Sequence, residues 1–158
     1  MRRPIKLAGL ILVALLFAIQ FIQPEQNLSE QMQENDMLYS LAVPAQVAEL
    51  LKNSCYDCHS EFTHYPWYSR ISPVSWLLNR HIEEGKEALN FNEYAGLKER
   101  KKIGTLSSLC EVLESGSMPL RGYLIIHKEA VLGDEEIAEI CDWSESEALK
   151  IMQSGDAP

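Results

Sequence analysis

Residues Ser54 to Ser60 run Ser-Cys-Tyr-Asp-Cys-His-Ser, and the inner five, Cys55-Tyr56-Asp57-Cys58-His59, decide the fold that must surround them. Two thiols three positions apart, with an imidazole directly after, is the spacing by which thiols add across the two vinyl groups of haem while the histidine binds its iron. On a helical turn both sulfurs lie along one edge of the porphyrin, and the histidine nitrogen meets the iron from one side. Three rival readings are weaker. A thioredoxin-like redox pair places Cys-x-x-Cys between strand and helix and has no use for His59. Zinc needs a fourth ligand beyond two cysteines and His59, for which His64 and His81 are the candidates. A Cys55–Cys58 disulfide would close a short and strained loop.

Outward from the motif the pattern is helical. A helix opening near Pro44 carries Val47, Leu50 and Leu51 on one face and runs into the cysteines. Ser72 is placed to cap a second helix with Pro73 in its first turn, and Val74, Leu77, Leu78 and His81 form its stripe as far as Leu89. A third carries Ile103, Leu106, Leu109, Cys110 and Leu113, with Gly116 as its stop. The fourth follows Gly133, with Asp134 as cap, Glu135 and Glu136 at its positive end, and Ile137, Ile140 and Cys141 on one face. No alternation of period two persists long enough for a sheet, so the expected fold is all-α. The expected boundaries are an anchor over 1–23, a polar linker over 24–43 that supplies little core, a domain over 44–151 and a tail over 152–158.

The N-terminus points to export. Arg2, Arg3 and Lys6 flank an apolar run from Leu7 to Ile22 interrupted only by Gln20. Sixteen helical residues rise about 24 Å against about 30 Å of hydrocarbon, which suffices if Lys6 snorkels. Neither Ala14, Ala18 nor the stretch to Ser29 supplies the small-residue pair of a signal cleavage site. A retained transmembrane helix is therefore expected over a cleaved signal, with its basic end in the cytoplasm.

At 158 residues the chain has room for one domain and a tail, which excludes a multidomain enzyme. Eleven basic against twenty-three acidic residues follow Lys6, a balance of −12. That argues against nucleic acid or an anionic membrane surface as partner and favours a basic protein surface.

Iron has a second axial position, and Met118, His64, His81 and His127 are the side chains in reach. Met118 is the best placed, in a loop after the third helix and stiffened by Pro119. His81 on an apolar stripe reads more simply as a core histidine. His64 is too near His59 to cross the ring, and His127 fits a hydrogen-bonding role. Tyr56, Trp67, Tyr68 and Trp76 are expected to pack the core against the flat macrocycle. Cys110 and Cys141 fall on apolar faces of different helices, and a bridge and two buried thiols are equally compatible with that.

The chain resembles the membrane-anchored bacterial haem-binding domain proteins, which are similar to small monohaem c-type cytochromes. The likeness is carried by Ser54–Ser60 (SCYDCHS), Tyr65–Tyr68 (YPWY), Pro73–Trp76 (PVSW), Glu84–Phe91 (EGKEALNF), Gly116–Leu120 (GSMPL) and Tyr123–His127 (YLIIH). Cys110 and Cys141 are not part of that pattern. The resemblance implies a cytochrome c-like helical fold, Cys55 and Cys58 as attachment points of one haem c, His59 as proximal iron ligand and Met118 as distal ligand. The whole reading is a monohaem cytochrome held at a bacterial inner membrane with its haem domain in the periplasm. It would relay single electrons to a redox partner protein, without catalysis of its own. A peroxidase-like enzyme or a haem-based sensor would instead need a displaceable sixth ligand.

Overall fold

The computed structural model of the protein describes residues 2–28 and 34–155, so part of the expected linker (29–33) and of the expected tail (156–158) lies outside the described residues. Helix α1 spans Arg2–Ala18 and tightens into a 3₁₀ turn over Ile19–Phe21. The stretch Pro4–Phe21 is long and apolar enough to cross a membrane with none of it buried in the protein. α2 is one short turn, Met37–Ser40, capped by Asp36, whose carboxylate accepts from Leu38 N at 2.7 Å. α3, Ala45–Leu51, continues without a break through a π turn at Lys52–Tyr56 into α4, Asp57–His59. Such π turns recur at functional sites, and this one carries the first cysteine of the motif.

α5 (Val74–Ala88) follows a 3₁₀ turn at Trp67–Arg70, and a second 3₁₀ stretch, Phe91–Gly96, leads to α6 (Glu99–Glu114). α7 (Arg121–Ile126) and α8 (Asp134–Gly155) are the last two helices among the described residues. The described residues contain no strand, only an isolated bridge between Leu28 and Phe62, so the all-α expectation holds.

The core lies where α3, α6, α8 and the Phe91–Gly96 turn meet. Val47 and Leu51 from α3, Leu106, Leu109 and Leu113 from α6, and Ile140, Trp143 and Ala148 from α8 are buried together with Phe91 and Tyr94. Those α3 and α6 positions and Ile140 of α8 follow the periodic faces read from the sequence. Cys110 and Cys141 are bridged across α6 and α8, their Cα atoms 4.9 Å apart, which resolves the alternative left open by their helix faces.

Three local readings change. The segment assigned to a tether is partly core: Asp36 and Met37 are fully buried. Asp36 accepts from Tyr56 Oη at 2.8 Å and Asn92 Nδ2 at 2.9 Å, which explains why a carboxyl pushed up in pKa by burial is retained there. Ser72 does not cap α5. Its hydroxyl meets Gln23 Nε2 and Ser75 Oγ instead, at 3.0 and 3.1 Å. At α8, Glu136 accepts from Gly133 N at 2.8 Å, so the reach-back half of a capping box does the work expected of Asp134.

The bridge closes a loop between residues 31 apart in sequence, for which loop entropy alone gives about 3–4 kcal/mol. Replacing Cys110 and Cys141 together by Ser should lower the unfolding free energy by about that amount in denaturant titration. Thiol labelling of the unfolded, unreduced protein should find neither cysteine free.

Candidate functional site

One cleft brings together the residues singled out from the sequence. Cys55, Cys58, His59 and Met118 all line it, with α5 contributing Leu78, His81, Glu84 and Gly85, and Tyr123 closing one side. The cleft extends under Ala88 and Leu89 to Leu109, Val112 and Leu113 of α6, again past Cys55, His59 and Met118. Its walls are predominantly apolar.

Both residues between the cysteines are tied down from outside the motif. Tyr56 stacks on Phe91 with ring centroids 4.7 Å apart, and its hydroxyl donates to buried Asp36. Asp57 accepts from Tyr123 Oη at 2.8 Å and from His64 N at 3.0 Å, while Thr63 Oγ1 donates to its carbonyl at 2.7 Å. The motif is thus clamped on each face, and both thiols stay in the cleft.

His59 Nδ1 lies 3.0 Å from the Leu89 carbonyl oxygen. A carbonyl can only accept, so Nδ1 carries the proton and Nε2 keeps its lone pair for a metal. Cys55 and Cys58 are unbonded. Burial, with Cys58 adding a smaller effect, pushes the Cys55 thiol up to about 12; burial and then Asp57 push Cys58 up to about 11. That is the reverse of the lowered pKa that activates a redox thiol. Among the described residues, Cys110, Glu114 and Cys141 form the cluster whose ligand atoms converge as a metal set would, and its two cysteines are joined to each other. Ser54 Oγ, buried and without a hydrogen-bond partner, also borders the cleft.

Met118 is delivered by the way α6 stops. Gly116 adopts φ +64°, Gly116 N donates to Leu113 O at 3.0 Å and Ser117 N to Val112 O at 3.1 Å, the two bonds of a Schellman motif. Met118 N donates to the same Val112 carbonyl at 3.1 Å, so the thioether follows the helix end at a fixed offset.

The other histidines divide. His127 is engaged at both nitrogens, Nε2 with Tyr68 Oη at 2.6 Å and Nδ1 with Glu129 Oε1 at 3.0 Å, and it stacks on Tyr123. His64 sits beside Asp57 with its side chain largely in solvent. His81 does reach the cleft. Of the aromatics expected to pack the ring, Tyr56 is core, but Trp67 is 80% exposed and Trp76 is exposed as well; neither lines the cleft. Val74 and Leu77, expected on the buried stripe of α5, also face outward.

Sequence reasoning passed over Tyr123 and Gly85 as site residues. A Cβ added at Gly85 would stand 2.5 Å from the Cys58 carbonyl oxygen and 3.1 Å from its carbon. Helix α5 therefore packs backbone to backbone on the motif, a contact that a single sequence signals only as an unexplained helical glycine.

A protein-family model described as Haem-binding domain matches residues 14–146. No curated protein and no solved structure matches the chain.

Gly85→Ala should destabilise the holoprotein by about 2–3 kcal/mol and cut its haem content, because backbone rather than a movable side chain stands in the way. Gly104→Ala, also in a helix but with nothing within 4 Å, should instead be neutral or stabilising by up to about 1 kcal/mol. Denaturant midpoints and haem-to-protein absorbance ratios compare the two.

Proposed function

The chain belongs to the haem-binding domain family, and on that premise we propose that it is a membrane-tethered monohaem c-type cytochrome relaying single electrons. The observation that carries this reading is the donor set in one cleft: two unbonded thiols, an imidazole whose Nδ1–H is spent on Leu89 O, and Met118 opposite a chain stop that holds it. Haem held there would cycle between ferric and ferrous iron. Cys55 and Cys58, unbonded and side by side in the cleft, are the attachment thiols. His59 Nε2, left free by the Leu89 contact at Nδ1, would hold the iron. The Leu89 carbonyl fixes its ring orientation and raises its basicity. Met118 Sδ would be the second iron donor, and a thioether there would raise the reduction potential relative to a second imidazole.

The predominantly apolar cleft, and the backbone bonds that set Met118 beside the end of α6, favour electron passage over chemistry at iron. The apolar α1 and the Cys110–Cys141 bridge both support an exported, oxidising location, with α1 retained as an inner-membrane anchor and the domain in the periplasm. The acidic balance beyond Lys6 favours a redox partner with a basic docking surface.

Haem should remain on the polypeptide after acid-acetone extraction, and Cys55→Ser with Cys58→Ser should release it. Extraction of haem from the unmodified chain would refute covalent attachment. For the sixth position, the ferrous protein should bind carbon monoxide slowly or not at all, and the ferric protein should show a sulfur-to-iron charge-transfer band. Met118→Ala should open the position to carbon monoxide by at least about tenfold in rate while the haem stays attached. Rapid uptake by the unmodified protein would replace the relay with a sensor or peroxidase-like enzyme.

A further inference from the structure

The apolar run from Leu7 to Ile22 contains one polar residue, Gln20 in the 3₁₀ turn after α1, and the cytochrome reading gives it no role. In the structure it is bound twice to the domain: Gln20 Nε2 donates to Ser72 O and Ser72 N donates to Gln20 Oε1, both at 3.0 Å. Gln23 Nε2 donates to Arg70 O and to Ser72 Oγ, at 3.2 and 3.0 Å. Trp76 Nε1 donates to Ile22 O at 2.7 Å. The chain then stays on the domain, with Asn27 N donating to Tyr65 Oη and Lys86 Nζ to Asn27 Oδ1. The end of the span is latched to the turn before α5 rather than joined by a loose tether.

That latch fixes a depth. If Pro4–Phe21 crosses the bilayer, Phe21 and Ile22 stand at its outer boundary, and so do Ser72 and Trp76, which are hydrogen-bonded to this end of the span. The chain on either side of Ser72 carries apolar side chains that neither the core nor the cleft covers: Trp67, Ile71, Val74, Trp76 and the 55% exposed Leu77. Trp at this level is what a membrane boundary favours. Charge agrees. From Phe62 to Ile82 the sequence has no Asp or Glu and holds Arg70, with Arg80 paired to Glu84 at 2.7 Å, in a chain with 23 acidic residues among 158. The acidic whole-chain balance that argues against an anionic membrane surface does not extend over this stretch.

We infer that the face formed by Trp67, Ile71, Val74, Trp76 and Leu77 rests in the headgroup boundary of the bilayer, held there by the Gln20 and Gln23 latch. The inference rests on the reading of α1 as a retained membrane span. The haem cleft, walled by the later turns of α5, then keeps one height and one orientation over the membrane. Only a redox partner able to reach that height can meet it.

The test uses the full-length holoprotein in nanodiscs of mixed phosphatidylcholine and phosphatidylglycerol, with a membrane-impermeant maleimide as probe. Leu77→Cys should react about tenfold more slowly than Glu99→Cys, each normalised to its rate in unfolded protein, although both positions are exposed in the protein itself. In the Gln20→Ala, Gln23→Ala background the residue-77 rate should rise at least about fivefold while the protein stays in the disc. Equal rates at 77 and 99 in disc-bound protein would overturn the inference and leave the anchor intact. Protection that survives loss of both glutamines together with Trp76→Phe, which removes the indole donor to Ile22 O, would overturn the latch as its cause. A protein that fails to enter discs, or whose N-terminus is found cleaved near Gln23, would remove the anchor reading and this inference with it.

Discussion

Helix α5 approaches the Cys58 carbonyl so closely that its residue 85 has no room for a side chain, and most of the site follows from that contact. With the two backbones this near, the end of α5 places the Leu89 carbonyl under His59 Nδ1, while Leu78, His81 and Glu84 become a wall of the cleft. The same rigid rod, fifteen residues long, begins beside the turn that holds Gln20 and Gln23. One helix thus couples the orientation of His59 to the end of the apolar N-terminal segment.

The opposite wall is built independently. α6 is pinned to α8 by the Cys110–Cys141 bridge and by a shared row of leucine, isoleucine and tryptophan side chains, so its C-terminal end is a stable place from which to project a residue. The αL glycine at 116 ends the helix abruptly, and Met118 emerges two residues later. Two unrelated devices, a backbone contact at Gly85 and a helix stop at Gly116, set the two sides of the cleft. Between them, Asp36 and Tyr123 grip the two residues that separate the cysteines. Asp36 has lost its water and is held by three donors, which makes the segment around α2 part of the site's foundation rather than a spacer.

The elements with strong local signals were legible. Val47 and Leu51, the leucines of α6 and Ile140 repeat at helical spacing, and a period of 3.6 dictates which face a helix buries whatever it packs against. Gly116 was legible as a stop because positive φ excludes most other residues there. Outside such signals the reading erred in a consistent direction. α2, α7 and the Phe91–Gly96 turn are too short to show a period. Val74 and Leu77 have the right spacing for a buried stripe, yet they face outward because α5 presents Ser75, Ile82 and Gly85 to the domain. Trp67 and Trp76 are large and apolar, and nothing in a one-dimensional pattern separates a ring bound for the core from one that faces out.

The sequence by itself determined the chemistry of this protein: Cys55, Cys58 and His59 at that spacing, an apolar N-terminal run, and helices rather than strands. These are local properties, set by residue type and by separations of a few positions, so neighbours alone express them. Only the tertiary structure decided that Met118 and His81 share the cleft while His127 and His64 stand outside it, that Cys110 meets Cys141, and that Gln20 is bound to Ser72. His81 and Met118, Cys110 and Cys141, and Gln20 and Ser72 are each 31 or more positions apart, and contact at that range is settled by how helices pack, which no single stretch of chain encodes.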